Sequence, residues 1–201
     1  MSSTHNLIFL GWGMDPNSIP PYLQMDNATY FYNYAEPIDF TPNPNVQYHV
    51  FAWSFGVYIA PILIAQWGIT SQVSHASAIN GTCCPIDDSY GIPPTIAQGT
   101  LDNLSEASRQ KFNMRMFTSR AEYNEYLQYS SKRDLESLKT ELAFFINRAK
   151  NEVVEGNIYN VAIVGLQDRI FPPSNQLAYW NSQSVPVIQL DMGHWPIKPE
   201  K

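Results

Sequence analysis

Val50-Phe51-Ala52-Trp53-Ser54-Phe55-Gly56-Val57 is the stretch on which the reading of this chain turns. An apolar, β-favouring run climbs to a serine with a small residue two places before it and another two places after. The chain then passes straight into Val57-Tyr58-Ile59-Ala60, where a helix can start. A serine on a tight strand-to-helix turn is a nucleophile elbow. The small neighbours follow from its geometry: the backbone at the serine is strained, and strand and helix pass too close for a large side chain. Ala52 stands where the usual pattern has glycine. Small-x-Ser-x-small also recurs by chance, so the motif needs companions elsewhere in the chain.

A serine hydroxyl is a weak nucleophile at neutral pH. It needs a base, a group that orients the base, and donors for the oxyanion. In an α/β hydrolase these parts follow one another as oxyanion loop, serine, acid, histidine. His194, in Asp191-Met192-Gly193-His194-Trp195-Pro196, lies just after the last apolar run and is the candidate base, whereas His5, His49 and His75 read as ordinary loop or surface histidines. Val161-Ala162-Ile163-Val164-Gly165 runs into Leu166-Gln167-Asp168, which puts Asp168 at a strand end as the acid that holds the imidazole. Asp191 is a rival, close before His194 on or next to the same strand.

For the oxyanion, one donor is the N–H of Phe55, the residue after the nucleophile. The second is the Trp12 N–H in Gly11-Trp12-Gly13, a glycine loop that ends the apolar run Asn6-Leu7-Ile8-Phe9-Leu10. An ordinary glycine turn explains that loop equally well when it is read alone. Cys83-Cys84 raises thiol or metal chemistry, but adjacent cysteines without a second pair or a spaced histidine are poor ligands. Asp87-Asp88 reads as turn chemistry.

The bulk properties narrow the class. A chain of 201 residues suffices for one domain with a core and is too short for two. Its 44% hydrophobic and 15% charged content excludes general disorder. A net charge of −6 argues against a nucleic-acid partner, since phosphate binding needs a basic surface. No run approaches the roughly 20 apolar residues that cross a bilayer, so no membrane association is expected. Met1-Ser2-Ser3-Thr4-His5 lacks the basic and apolar regions of a signal peptide, and the cysteines offer no disulfide framework. The expectation is a soluble cytoplasmic protein.

Along the chain, residues 14–45 are dense in proline, asparagine and tyrosine, and read as extended loop with room for one strand. Tyr48–Ala52 is the strand into the elbow, and Val57–Gln66 the helix behind it, with Pro61 in about its first turn. Ser77-Ala78-Ile79-Asn80-Gly81-Thr82 is another strand-to-loop exit. From Ser105 to about Val154 prolines vanish and apolar residues recur at helical spacing, as in Leu135, Leu138, Leu142, Phe145 and Ile146. Strand signal returns in Tyr159–Gly165 and Val185–Leu190. The result is one α/β domain over residues 1–201: a compact hydrolase core with a mostly parallel sheet, loop-rich flanks and a small helical lid at about 105–154.

The elbow, Gly11-Trp12-Gly13-Met14-Asp15, Ile79-Asn80-Gly81-Thr82, Pro85-Ile86-Asp87-Asp88, Gly91-Ile92-Pro93, Gln167-Asp168-Arg169-Ile170-Phe171-Pro172-Pro173 and Gly193-His194-Trp195 share one further property. Together they resemble pimeloyl-acyl carrier protein methyl ester esterases of the BioG type, which act in biotin synthesis, over nearly the whole chain. The resemblance implies an α/β hydrolase whose peripheral helices are partly replaced by loops. It also implies hydrolysis of a methyl ester on a pimeloyl chain borne by an acyl carrier protein, with no metal or organic cofactor. Ser54 would then attack the ester carbonyl and His194 would take its proton, protonate departing methanol and activate water. So little chain precedes Asn6 that a reduced sheet is expected.

An acyl chain needs a dry channel, for which Trp53, Phe112, Met116 and Phe117 are candidates, each of them equally explicable as core or lid packing. The carrier is acidic, and nine of the basic residues fall within the lid segment, namely Arg109, Lys111, Arg115, Arg120, Lys132, Arg133, Lys139, Arg148 and Lys150. Lys111 and Arg115 are the first candidates for docking it, followed by Arg109 and Arg120. Two other readings stay open: a general carboxylesterase or thioesterase of different acyl preference, and a non-catalytic acyl-carrier-binding protein that kept the fold.

Overall fold

The apolar runs become the strands of one sheet in the computed structural model, which describes residues 3–154 and 156–196. They are β1 (Ser3–Phe9), β2 (Ala28–Phe31), β3 (Val46–Trp53), β4 (Val73–Ile79), β5 (Val161–Gly165) and β6 (Val187–Leu190). Their order across the sheet is β2-β1-β3-β4-β5-β6, and every neighbouring pair is parallel. Parallel sheets are covered on both faces, which is why these strands read as near-continuous apolar runs rather than alternating ones. Leu7, Phe9, Val50, Ala52, Ala78 and Val164 are fully shielded from solvent. Register places Ala52 between Phe9 and Ala78, so the strand that ends at the elbow lies near the middle of the sheet.

Parallel neighbours need a crossover, usually a helix. Between β1 and β2, and between β2 and β3, the prolines forbid one. The chain makes only single 3-10 turns at Pro16–Ser18 and Pro21–Leu23. Aromatic side chains take over the covering role. Phe9 stacks on Phe31 at 4.7 Å between ring centroids, Phe31 meets Trp67 at 5.0 Å, and Phe40 meets Trp67 at 4.6 Å.

Helix α1 (Gly56–Gln66) runs back from the elbow and is buried over most of its length. Pro61 sits in its second turn, deeper than the sequence suggests, and so withholds the hydrogen bond due to the Val57 carbonyl. Tyr159 Oη donates to that carbonyl at 2.7 Å, and the Cys83 thiol lies 3.6 Å from it. The proline is tolerated because the orphaned acceptor has found partners outside the helix.

Between β4 and β5 lie α2 (Pro94–Asp102), α3 (Glu106–Arg115), α4 (Arg120–Tyr126) and α5 (Leu135–Asn151). Ser105 caps α3 with a reciprocal box to Ser108, and Asp134 caps α5 through Ser137 N. Leu138, Leu142, Phe145 and Ile146 of α5 are buried, as their spacing requires. Two helices were not legible as such. Both α2 and α6 (Pro173–Ser182), which joins β5 to β6, open on a proline at the first helical position, where its missing N–H costs nothing. Among the described residues, no helix is long and apolar enough to cross a membrane.

Candidate active site

The turn from β3 into α1 puts Ser54 in the left-handed region at φ +57°. A residue with a Cβ seldom adopts that conformation, and here it lifts the hydroxyl out of the sheet's end. The Ser54 N–H donates to the Ile79 carbonyl at 2.9 Å, locking the turn to the end of β4. Gly81 follows that strand, and a Cβ there would stand 2.4 Å from the Ser54 carbonyl oxygen. The small residues of the sequence are therefore a packing requirement of the turn.

Three residues distant in sequence meet at this point. His194 Nε2 lies 3.0 Å from Ser54 Oγ, and His194 Nδ1 lies 2.7 Å from Asp168 Oδ2. All three are buried. Asp168, in the loop after β5, also accepts from the Ile170 and Phe171 N–H groups at 2.8 and 2.9 Å and from Gln176 Nε2 at 3.1 Å. Its carboxylate is thus held at a fixed angle to the imidazole by three donors. Gln176 Nε2 also reaches the Phe171 carbonyl, an acceptor, so the amide must point its NH2 this way, and Gln176 Oε1 is left without a partner. Asp191, the rival acid, is exposed and accepts from Gln167 Nε2 at 2.5 Å, away from the histidine.

The histidine's backbone is fixed as firmly as its ring. Asn80 Nδ2 donates to the carbonyls of Gly193 and His194 at 3.0 and 2.8 Å, and its Oδ1 accepts from the Gly165 N–H at 2.7 Å. Trp53 Nε1 adds a bond to the His194 carbonyl at 2.9 Å. Asn80 is fully buried at φ +46°, so one side chain ties the ends of β4 and β5 to the histidine loop. Its role was not legible beyond its place in a motif, although asparagine is the non-glycine residue most at home at positive φ. Asn80→Ala would leave the Gly193 carbonyl and the Gly165 N–H unpaired inside the protein and the His194 carbonyl with Trp53 Nε1 alone. We expect it to lower stability by about 2–4 kcal/mol and kcat by roughly tenfold or more. Chemical denaturation together with ester kinetics would check this, and native stability would sink the argument.

Trp12 and Phe55 are both buried and both line the cleft beside Ser54. Neither backbone N–H meets an acceptor among the described residues. Two buried amides without acceptors, next to a serine hydroxyl, are what an oxyanion requires.

The cleft is narrow, with a cavity volume of about 30 Å3. Trp53, Phe112 and Met116 line it, with Arg115 also on its wall. Phe117 is not among the lining residues. It is buried against Trp195 and Tyr126, with ring centroids 5.6 and 5.0 Å away. The remaining walls are Ile92, Ile96, Ala97 and Thr100 on and before α2, with Leu142 and Ile170. These were missed because α2 itself was missed. A shallower groove continues outward between α2 and α3, past Ile96, Thr100 and Phe112 to Lys111 and Arg115.

The basic residues divide into two kinds. Lys111, Arg115 and Arg120 are exposed, with Arg115 Nη2 also donating to the Arg169 carbonyl at 2.5 Å. Arg109 turns inward, donating to the Arg133 and Ser131 carbonyls at 2.8 Å each. Arg133 is likewise internal, paired with buried Glu141 at 2.6 Å. Cys83 and Cys84 are free thiols; burial pushes Cys83 up to about 12 and raises Cys84, so neither is a ready thiolate at neutral pH.

Comparison with known proteins places this geometry. Residues 2–198 match the family described as "Pimeloyl-ACP methyl esterase BioG". A malonyl-[acyl-carrier protein] O-methyltransferase of Bacteroides fragilis is 36% identical over 200 residues, which cover 96% of this chain and 39% of that protein; the chain thus spans about two fifths of that relative's length. The crystal structure of BioG from Haemophilus influenzae superposes with a TM-score of 0.85 at 30% identity, over 96% of this chain and 89% of that one. A putative aryl esterase from Burkholderia cenocepacia, at 12% identity and a TM-score of 0.61 over 96% of this chain and 83% of that one, shares the fold.

Proposed function

Because the chain belongs to the BioG family of pimeloyl-ACP methyl esterases, we propose that Ser54, His194 and Asp168 hydrolyse the methyl ester of a pimeloyl chain carried by an acyl carrier protein. The observation that carries the proposal is the hydrogen-bonded line from Ser54 Oγ through His194 to Asp168 at the floor of an apolar cleft. With the Nδ1 hydrogen directed at Asp168, Nε2 presents a lone pair to the serine. Ser54 Oγ attacks the ester carbonyl as its proton passes to Nε2. The oxyanion that forms is received by the Trp12 and Phe55 N–H groups. The imidazolium returns the proton to the leaving methoxide, methanol departs, and a water activated by the same nitrogen releases the free carboxylate.

In this reading the ester end of the chain lies against Ser54 and the methylenes run past Met116, Phe112 and Ile96. The carrier-bound end emerges along the outer groove between α2 and α3. Lys111 and Arg115 stand at that exit and Arg120 begins α4, which suits an acidic carrier. Helices α2 and α3 form the cover of the cleft. A cytoplasmic setting belongs to the same reading and agrees with two cysteines left as free thiols.

The decisive test measures methanol released from pimeloyl-carrier methyl ester, with a short-chain aryl ester as comparison. Preference for the carrier ester supports the proposal, whereas turnover of the aryl ester alone would leave a general esterase. Lys111→Glu is expected to raise KM for the carrier ester about tenfold at low salt, an effect that added salt erases, and to leave aryl ester hydrolysis unchanged. Equal effects on both esters would remove Lys111 from the docking surface.

A further inference from the structure

We propose that Glu141 is a positioning residue of the oxyanion hole, acting through the loop that carries the Trp12 N–H. The inference rests on the serine-esterase reading above and deepens it. The loop after β1 has little structure of its own; Met14 N reaches the Gly11 carbonyl at 3.3 Å. Leu10 is held by Phe31 and Tyr34, and Met14 Sδ receives the Tyr126 hydroxyl. The polar ties of residues 12–15 otherwise converge on one stretch of chain, residues 131–141. Gly13 N donates to Glu141 Oε2 at 3.0 Å, and Trp12 Nε1 donates to the Leu138 carbonyl at 2.8 Å. Arg133 Nη1 donates to the Met14 carbonyl at 3.3 Å, while Ser131 Oγ and the Lys132 N–H donate to Asp15 Oδ2 at 2.9 and 3.0 Å.

Glu141 is the centre of this arrangement. It is fully buried on the face of α5 that otherwise presents Leu138, Leu142 and Phe145 to the core. Its Oε1 accepts from the Tyr34 N–H at 3.1 Å, and Arg133 pairs with Oε2 at 2.6 Å. Arg133 in turn donates to Asn33 Oδ1 at 2.7 Å and to Ser137 Oγ at 2.8 Å. Burial pushes the Glu141 carboxyl above the usual range, and Arg133 with the two amides draws it back.

Stability alone does not explain a buried ion pair at this position. Such pairs contribute little net stability, because desolvating both charges offsets their attraction, and apolar residues of similar volume often serve as well. What an apolar residue cannot do is accept from Gly13 N. Gly13 sits at φ +76°, a conformation the loop can hold or leave easily, and the Trp12 N–H lies one peptide upstream. Fixing the Gly13 amide therefore fixes the plane next to the oxyanion donor. An oxyanion hole depends on donors whose direction is set before the charge develops. On this account the start of α5 belongs to the catalytic frame rather than to a mobile cover.

Two variants test it, Glu141→Gln and the double Arg133→Met/Glu141→Leu. The second removes both charges and keeps the site filled, so it guards against loss of fold. Each is compared with native protein and Ser54→Ala, using a short-chain aryl ester and an alkylboronic acid, which forms a tetrahedral adduct on an active serine. Folded variants are expected to lose roughly 10- to 100-fold in kcat, with KM changed less than about threefold and boronic acid affinity weakened in parallel with kcat. A folded variant with native kcat, even at a lowered melting temperature, would reduce Glu141 to a structural role and overturn the proposal. If Ser54→Ala kept activity, the serine mechanism itself would fall first, so the two failures are distinguishable.

Discussion

Ser54→Ala is expected to lower ester hydrolysis by a factor on the order of 10⁴ or more while leaving the fold and its melting temperature essentially unchanged. The loss follows from the geometry: among the described residues, Ser54 Oγ is the one nucleophilic atom hydrogen-bonded to His194 Nε2, at 3.0 Å. Cys83, the other buried candidate, is held as a thiol and bonds to the Val57 carbonyl. Retention of the fold follows from equally specific facts. Alanine keeps the Cβ, so the strain of φ +57° is neither added nor removed. The backbone bond to Ile79 and the packing of Gly81 on the Ser54 carbonyl do not involve the hydroxyl. Residual activity above background would come from water attacking an ester still polarised by the Trp12 and Phe55 amides. Retention of more than a tenth of native turnover, in protein free of native contamination, would exclude Ser54 as the nucleophile.

The sequence disclosed the elbow because its strain leaves a local signature: small residues around a serine, at the junction of a β-favouring run and a helix. Asp168 and His194 were legible for a related reason, since each follows an apolar strand and topology carries strand ends to one edge. What could not be read was whatever depends on a partner far along the chain. The helices opening at Pro94 and Pro173 went unread, because proline, which ends a helix in its interior, also starts one at its first turn. With α2 unread, the wall formed by Ile96, Ala97 and Thr100 was unread as well. Charge misled differently. Arg109 and Arg133 carry the same charge as Lys111, yet their guanidinium groups are satisfied inside, and composition does not distinguish an internal strut from a docking residue. Phe117 was assigned to the cleft on aromatic character alone, whereas Trp195 and Tyr126 claim it.

One substitution made at two glycines should give opposite signs. Gly56 opens α1 directly after the elbow, and a Cβ built there would stand 2.3 Å from the Phe9 carbonyl oxygen, 2.7 Å from its carbon and 2.9 Å from the Leu10 oxygen. All three are backbone atoms of β1 and the residue after it, and no side-chain rotation relieves such contacts. Gly56→Ala must therefore push α1 away from the sheet, at a cost of about 3 kcal/mol or more. For a chain of this size that corresponds to a fall in melting temperature of roughly 6–12 °C. Activity should fall further than stability, since β1 leads into the Trp12 loop and α1 begins two residues after Ser54. Gly99 lies inside α2 with nothing within 4 Å of the added methyl. There alanine removes the backbone freedom of glycine in the unfolded chain and suits a helix better. Gly99→Ala should gain about 0.5–1 kcal/mol. Thermal melts of the two variants, run side by side, decide the matter. If Gly56→Ala melted with the native protein, the close approach of α1 to β1, and with it the packing account of the elbow, would be wrong.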